Sequence, residues 1–232
     1  MWEALFGGVH SAARHTVLIG VIVVCTAAAH ASAEPAPTLF KLTVVATAHA
    51  EWDHTGLAVA SGDCERTVRS EGFRDVRFRT AKPTVVRVAR GRVLAATIRG
   101  LTGTVVLSGA NTLSDVCGQE TKEAIQDCAT TRRSFRSATV GVSSRRPGSV
   151  TLGPLRQLRL RTINCPQEPA DVIRTPLGPI PGPLRTTALA NPRVLHLTLT
   201  ASASRRIGFG PAEQGTLQQR SRWKLTFDRV QP

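Results

Sequence analysis

The stretch Phe40-Lys41-Leu42-Thr43-Val44-Val45-Ala46-Thr47-Ala48-His49-Ala50-Glu51-Trp52 decides the fold class. Every even position from 40 to 52 is apolar, and every odd position except Val45 is polar. Successive side chains of a strand point to opposite faces, so a two-residue period over this length reads as a strand with one face in a core and one in water.

Outward from this stretch the same period recurs. Phe73 to Thr80 sets Val76 and Phe78 inward against Arg77 and Arg79 outward. Pro83 and Gly91 bracket Thr84 to Arg90, and Arg92 to Arg99 and Thr104 to Ser108 follow, separated by Gly100 and Gly103. Ser134 to Ser143 and Ser149 to Ile163 flank a Pro147-Gly148 turn, with Pro154 splitting the latter strand or demoting a portion of it to an edge. Val194 to Ser204 and Thr216 to Val230 close the chain, and Trp223, Leu225 and Phe227 face in. These segments predict an all-β fold, an antiparallel β-sandwich of immunoglobulin-like character.

Two regions break the period. Residues 110 to 130 read as a loop bounded by Cys117 and Cys128, with a helical turn over Thr121 to Gln126. Residues 165 to 192 are proline-rich and read as a stiff crossover on the domain surface. Asp53-His54-Thr55-Gly56 and Ser61-Gly62-Asp63 read as turns. The two end segments resemble each other: Lys41 to Ala48 matches His196 to Ala203 without a gap, and Val76-Arg77-Phe78 matches Leu225-Thr226-Phe227. That likeness suits one closed architecture in which the last hairpin packs against or beside the first.

The start of the chain has the pattern of an export signal. Arg14 precedes an apolar run from Thr16 to Ala29, and Ala31-Ser32-Ala33 supplies the small residues of a cleavage site. Residues 1–33 are therefore expected to be removed, leaving a short flexible start at 34–37 and one β-rich domain over 38–232. No later apolar run is long enough to span a bilayer. The expected location is secreted or associated with the cell envelope.

After cleavage four cysteines remain, an even number that reads as two disulfides in an exported chain. Cys117 with Cys128, and Cys64 with Cys165, is the expected pairing, because the first two bracket one compact segment. No C-x-x-C pair or other metal-ligand spacing occurs, so neither a metal nor a cofactor is expected.

The formal net charge is +14, nearly all of it from arginine. Such a surface attracts polyanions. Arg77, Arg79, Arg87, Arg159 and Arg161 fall on outward positions of alternating strands and form the candidate anion-binding set. Specific nucleic-acid recognition is not expected, since basic residues are not interleaved with stacking aromatics. No nucleophile elbow of the G-x-S-x-G type is present, and His49, His54 and His196 sit in strands or turns without a triad pattern.

The expected function is that of a secreted, non-enzymatic protein that binds or coats an anionic envelope polymer or another extracellular protein. The alternative is an extracellular hydrolase or inhibitor. It would act through the Glu51–Glu65 region, where Glu51, Asp53, Asp63 and Glu65 lie near Trp52, or through the Cys117–Cys128 loop.

Overall fold

The computed structural model describes residues 36–56, 58–156, 165–175, 177–209 and 214–231. The export signal expected over 1–33 and the outward positions Arg159 and Arg161 lie outside the described residues.

The deciding stretch forms the first strand, β1 (Thr38–Thr55), with its even side chains buried. The others are β2 (Val59–Ser61), β3 (Cys64–Thr80), β4 (Thr84–Ala89), β5 (Arg92–Val93), β6 (Ala96–Cys117), β7 (Glu120–Ser143), β8 (Ser149–Arg156), β9 (Leu184–Arg185), β10 (His196–Gly208) and β11 (Gln214–Arg229). One short helix, α1 (Ala170–Arg174), and a 3-10 turn at Thr187–Ala190 interrupt them. The fold is all-β and antiparallel, and the strands join in one sheet ordered β10-β11-β1-β3-β6-β7-β8-β9. The β4–β5 hairpin pairs with the start of β1. It reaches the β7–β8 turn through backbone bonds from Ser144 N–H to the Val93 carbonyl and from Gly148 N–H to the Gly91 carbonyl.

The main core takes side chains from both ends of that strand path. Phe40, Leu42, Val44, Trp223, Leu225 and Phe227 share one buried cluster with Ile98, Leu101, Val140, Val142, Val150 and Leu152. The single sheet thus brings the two ends of its strand path to one core, an arrangement consistent with the expected sandwich. A smaller cluster of Ala50, Trp52, Leu107, Val172 and Leu217 occupies the other end of the inner face.

The likeness between the chain ends has a spatial meaning. β11 lies between β1 and β10, so Lys41 and His196 both flank Asp228, and Ala46 and Ala201 both flank Trp223. The matched segments occupy the same rows on either side of one strand. The second match does not keep its rows, since Val76 opposes Ala48 whereas Leu225 opposes Val44 and Leu199.

Several expectations are corrected. Residues 110–130 are strand, not loop: β6 and β7 run together to a tight turn at Cys117–Glu120, where Gly118 takes φ 64°. This far end projects past β1, is wet on both faces and so carries no buried-face period. Gly100 and Gly103 do not separate one strand from another. β6 passes through them with register shifts, the left-handed Gly100 (φ 68°) sitting at a bulge. Asp53 to Thr55 continue β1, and His54 is buried against Phe209 with ring centroids 4.4 Å apart.

The crossover does not merely lie on the surface. Val172, Leu177, Leu184 and Leu189 are buried beneath it, because the inner face needs an apolar cover between β8 and β10.

The disulfide pairing is corrected as well. The bonds are Cys64–Cys117 and Cys128–Cys165. Glu65 opposes Val116 across β3 and β6, so the next residues, Cys64 and Cys117, stand directly opposite, with Cα atoms 4.3 Å apart. That is the spacing of a non-hydrogen-bonded antiparallel pair. Cys117 opposes Glu120 in the β6–β7 hairpin, and Cys128 opposes Gly109. The eight residue steps from Glu120 to Cys128 span about 27 Å of strand, so Cys117 and Cys128 cannot meet.

Two disulfides suit an oxidising or extracellular setting. No helix of the described residues is long and apolar enough to cross a membrane.

Candidate anion-binding face

The outward face of β10, β11, β1, β3 and β6 is organised by register. One row reads Thr200, Lys224, Val45, Arg79, Thr102; the next, Ser202, Arg222, Thr47, Arg77, Thr104; the third, Ser204, Arg220, His49, Asp75, Val106. Alternation makes these side chains neighbours on one surface: residues i and i+2 of a strand share a face, and adjacent strands lie about 4.8 Å apart.

Of the expected arginine set, Arg77 and Arg79 are exposed here as predicted from the sequence. Arg87 is exposed on β4 but opposes Leu39, beyond the rows that hold the other two, so the structure does not bring it to them. The companions that complete the face are Arg220, Arg222 and Lys224 of β11, which the candidate set omitted. Their signal was present in the sequence: if Trp223, Leu225 and Phe227 face in, the even positions beside them face out.

Arg77, Arg79, Arg220, Arg222 and Lys224 have no salt bridge among the described residues. Other arginines are paired. Arg66 Nε and Nη2 donate to Asp115 at 2.6 and 2.7 Å, and Arg69 donates in the same forked way to Asp53 at 2.9 and 2.8 Å. Arg74, inside, is held by Glu168 through Nε (2.6 Å) and Nη2, and its Nη1 donates to the Val172 carbonyl. Cations left unpaired along one strand and across the intervening β1 repel one another and attract an external anion.

The rows enclose open depressions rather than a closed cavity. One, of ≈ 580 Å³, is lined by Thr47, His49, Asp75, Arg77, Arg220 and Arg222 among others. A second, of ≈ 610 Å³, continues across Val45, Thr47, Arg77, Arg79, Thr104 and Ser134.

The charge reverses past His49. His49 Nδ1 lies 2.8 Å from Asp75 and its Nε2 3.8 Å from Glu51. The next rows hold Glu51, Asp53, Glu71 and Asp127, which line a third depression. Glu51 and Asp53 therefore stand with Glu71 and Asp127. Asp63 and Glu65, grouped with them on sequence, sit at the exposed β2–β3 turn.

The hydrogen bonds from Arg69 hold the Asp53 carboxyl below the usual aspartate range, and Arg66 does the same for Asp115. A general acid needs the opposite shift. The described residues contain no group of His, Cys, Asp and Glu able to hold a metal ion. The Cys117–Cys128 segment offered as an alternative site is the exposed end of a hairpin, with Ile125 75% exposed.

No protein-family model matches this chain, and no curated protein is similar to it.

Proposed function

We propose that the chain is an exported, non-enzymatic binding protein that holds an anionic polymer of the cell envelope against the outer face of β11, β1 and β3. One observation carries the reading: Arg77, Arg79, Arg220, Arg222 and Lys224 share adjacent rows of an exposed face and lack carboxylate partners among the described residues. The export pattern before Glu34 and the two disulfides support placing the protein outside the cell.

The test is retention of the purified protein on envelope polymers, washed at rising salt. The parent protein is expected to elute late, and the Arg77→Ser/Arg79→Ser/Arg222→Ser variant markedly earlier. Coincident elution of the two would sink the proposal. N-terminal sequencing of exported protein is expected to begin at Glu34.

A further inference from the structure

The five unpaired cations are not scattered over the face but lie in two columns. Arg220, Arg222 and Lys224 are successive outward positions of β11, and Arg77 and Arg79 are successive outward positions of β3. Within a column the repeat is two residues, roughly 6.8 Å, and the columns are two strand spacings, roughly 9.6 Å, apart. Between them runs β1, whose outward residues here are Val45 and Thr47. Two rails of long cationic side chains thus flank a floor of short ones, with His49, its Nδ1 against Asp75, and the acidic rows beyond closing one end.

We infer that this trough holds one extended phosphodiester chain, lying parallel to β1 with its phosphates against the two rails. The inference rests on the proposed anion-binding role of the face and specifies its ligand. Three features select the class. A phosphodiester chain with three carbons between phosphates has six bonds per repeat. By the extension of a polypeptide, three bonds per ~3.4 Å, six bonds cover roughly 7 Å, which matches the rail repeat. The floor and the flanking positions Thr47, Thr200, Ser202, Thr102 and Thr104 offer hydroxyls at those rows, suited to a polyol backbone. Among the described residues the rows of the rails hold one aromatic ring, His49 beside Arg220, stacked on Phe73 at the closed end, so a nucleic-acid strand would find charge along the trough but no succession of stacking platforms.

The test uses the mature chain, residues 34–232, and three sets of probes of increasing length: glycerol-phosphate oligomers, heparin-derived oligosaccharides and oligothymidylates. Affinity for the glycerol-phosphate set is expected to rise steeply up to about three phosphates, one for each row of the rails, and to gain little beyond. Three phosphates of a single chain, one per row, give a slope of log K against log salt of about −2.1. The double variant Arg222→Ser/Arg77→Ser, which strips one row of both cations, is expected to make that slope shallower by about 0.7. Thr47→Glu, which sets a carboxylate on the exposed floor, is expected to abolish binding, whereas Arg92→Ser and Arg185→Ser, on exposed positions elsewhere, leave it unchanged. Tighter binding of heparin fragments or oligothymidylate overturns the ligand class. Parent-like binding by the folded Thr47→Glu variant, or equal losses in the two distant controls, overturns the trough while leaving a general polyanion role standing. Failure to bind any probe overturns both.

Discussion

Phe78 and Trp223 meet edge to face, with ring centroids 5.2 Å apart and planes 78° from parallel, although their strands are not neighbours. Both oppose Ala46, one from β3 and one from β11. The aromatics touch because the strand between them offers only a methyl group on that row. Ala46→Leu would fill the gap and push the rings apart. Overpacking of this kind costs about 1–3 kcal/mol, to be read as a lower urea midpoint. Phe78→Ala removes the contact and leaves a cavity, at about 3–5 kcal/mol.

Glu168 is the only carboxylate bonded to Arg74 among the described residues, and both side chains are almost fully buried. Burial alone pulls the Arg74 guanidinium below its ordinary value, and Glu168 opposes that shift. Glu168→Gln leaves the cation without its counter-charge and is expected to cost about 3–5 kcal/mol. The double change Arg74→Met/Glu168→Leu is expected to recover most of that loss, since an apolar pair removes both desolvation penalties. Chemical denaturation of the three proteins is the measurement; a double variant no more stable than Glu168→Gln would contradict it.

Non-reducing peptide mapping is expected to yield Cys64–Cys117 and Cys128–Cys165 peptides. The bonds close sequence separations of 53 and 37 residues. In the chain-entropy model each such loop is worth about 4 kcal/mol. Cys64→Ser/Cys117→Ser and Cys128→Ser/Cys165→Ser should therefore each lower stability by a similar amount, with the far end of the β6–β7 hairpin losing hydrogen-exchange protection first in the former.

Acid should act partly through Asp53. Its carboxyl titrates lower in the folded protein than in the unfolded chain, because Arg69 bonds the ionised form. The stabilisation it contributes is complete above the unfolded aspartate value of about 3.9 and is lost as pH falls through the depressed folded value. Asp53→Asn should be less stable than the parent at neutral pH, and the difference should shrink below about pH 4. Denaturation midpoints from pH 7 to pH 2 give the comparison, and a difference independent of pH would count against it.

The fold was legible wherever one side of a strand is buried. β1 was readable from seven alternate apolar positions, and β11 from Trp223, Leu225 and Phe227. The β6–β7 extension was not, because residues 121–127 are exposed on both faces and nothing there selects a two-residue period. The disulfide pairing was illegible for a related reason. Cys64 and Cys117 become partners through the register of two strands whose joint existence had to be known first. Half of the cationic face was readable from Arg77 and Arg79. Its other half depends on β11 lying against β1, a long-range pairing to which alternation within one segment is blind.

That pairing also orders events in time. The strand filling the gap between β1 and β10 is synthesised after both of them, so Phe40 must wait for Arg229 and Trp52 for Leu217. Contacts so remote in sequence form slowly. Until they do, two long strand edges and much of the aliphatic core stay open. A chain truncated before Gln214 keeps every residue of β1 and β10 yet has nothing to join them, and its fate should be aggregation rather than partial function.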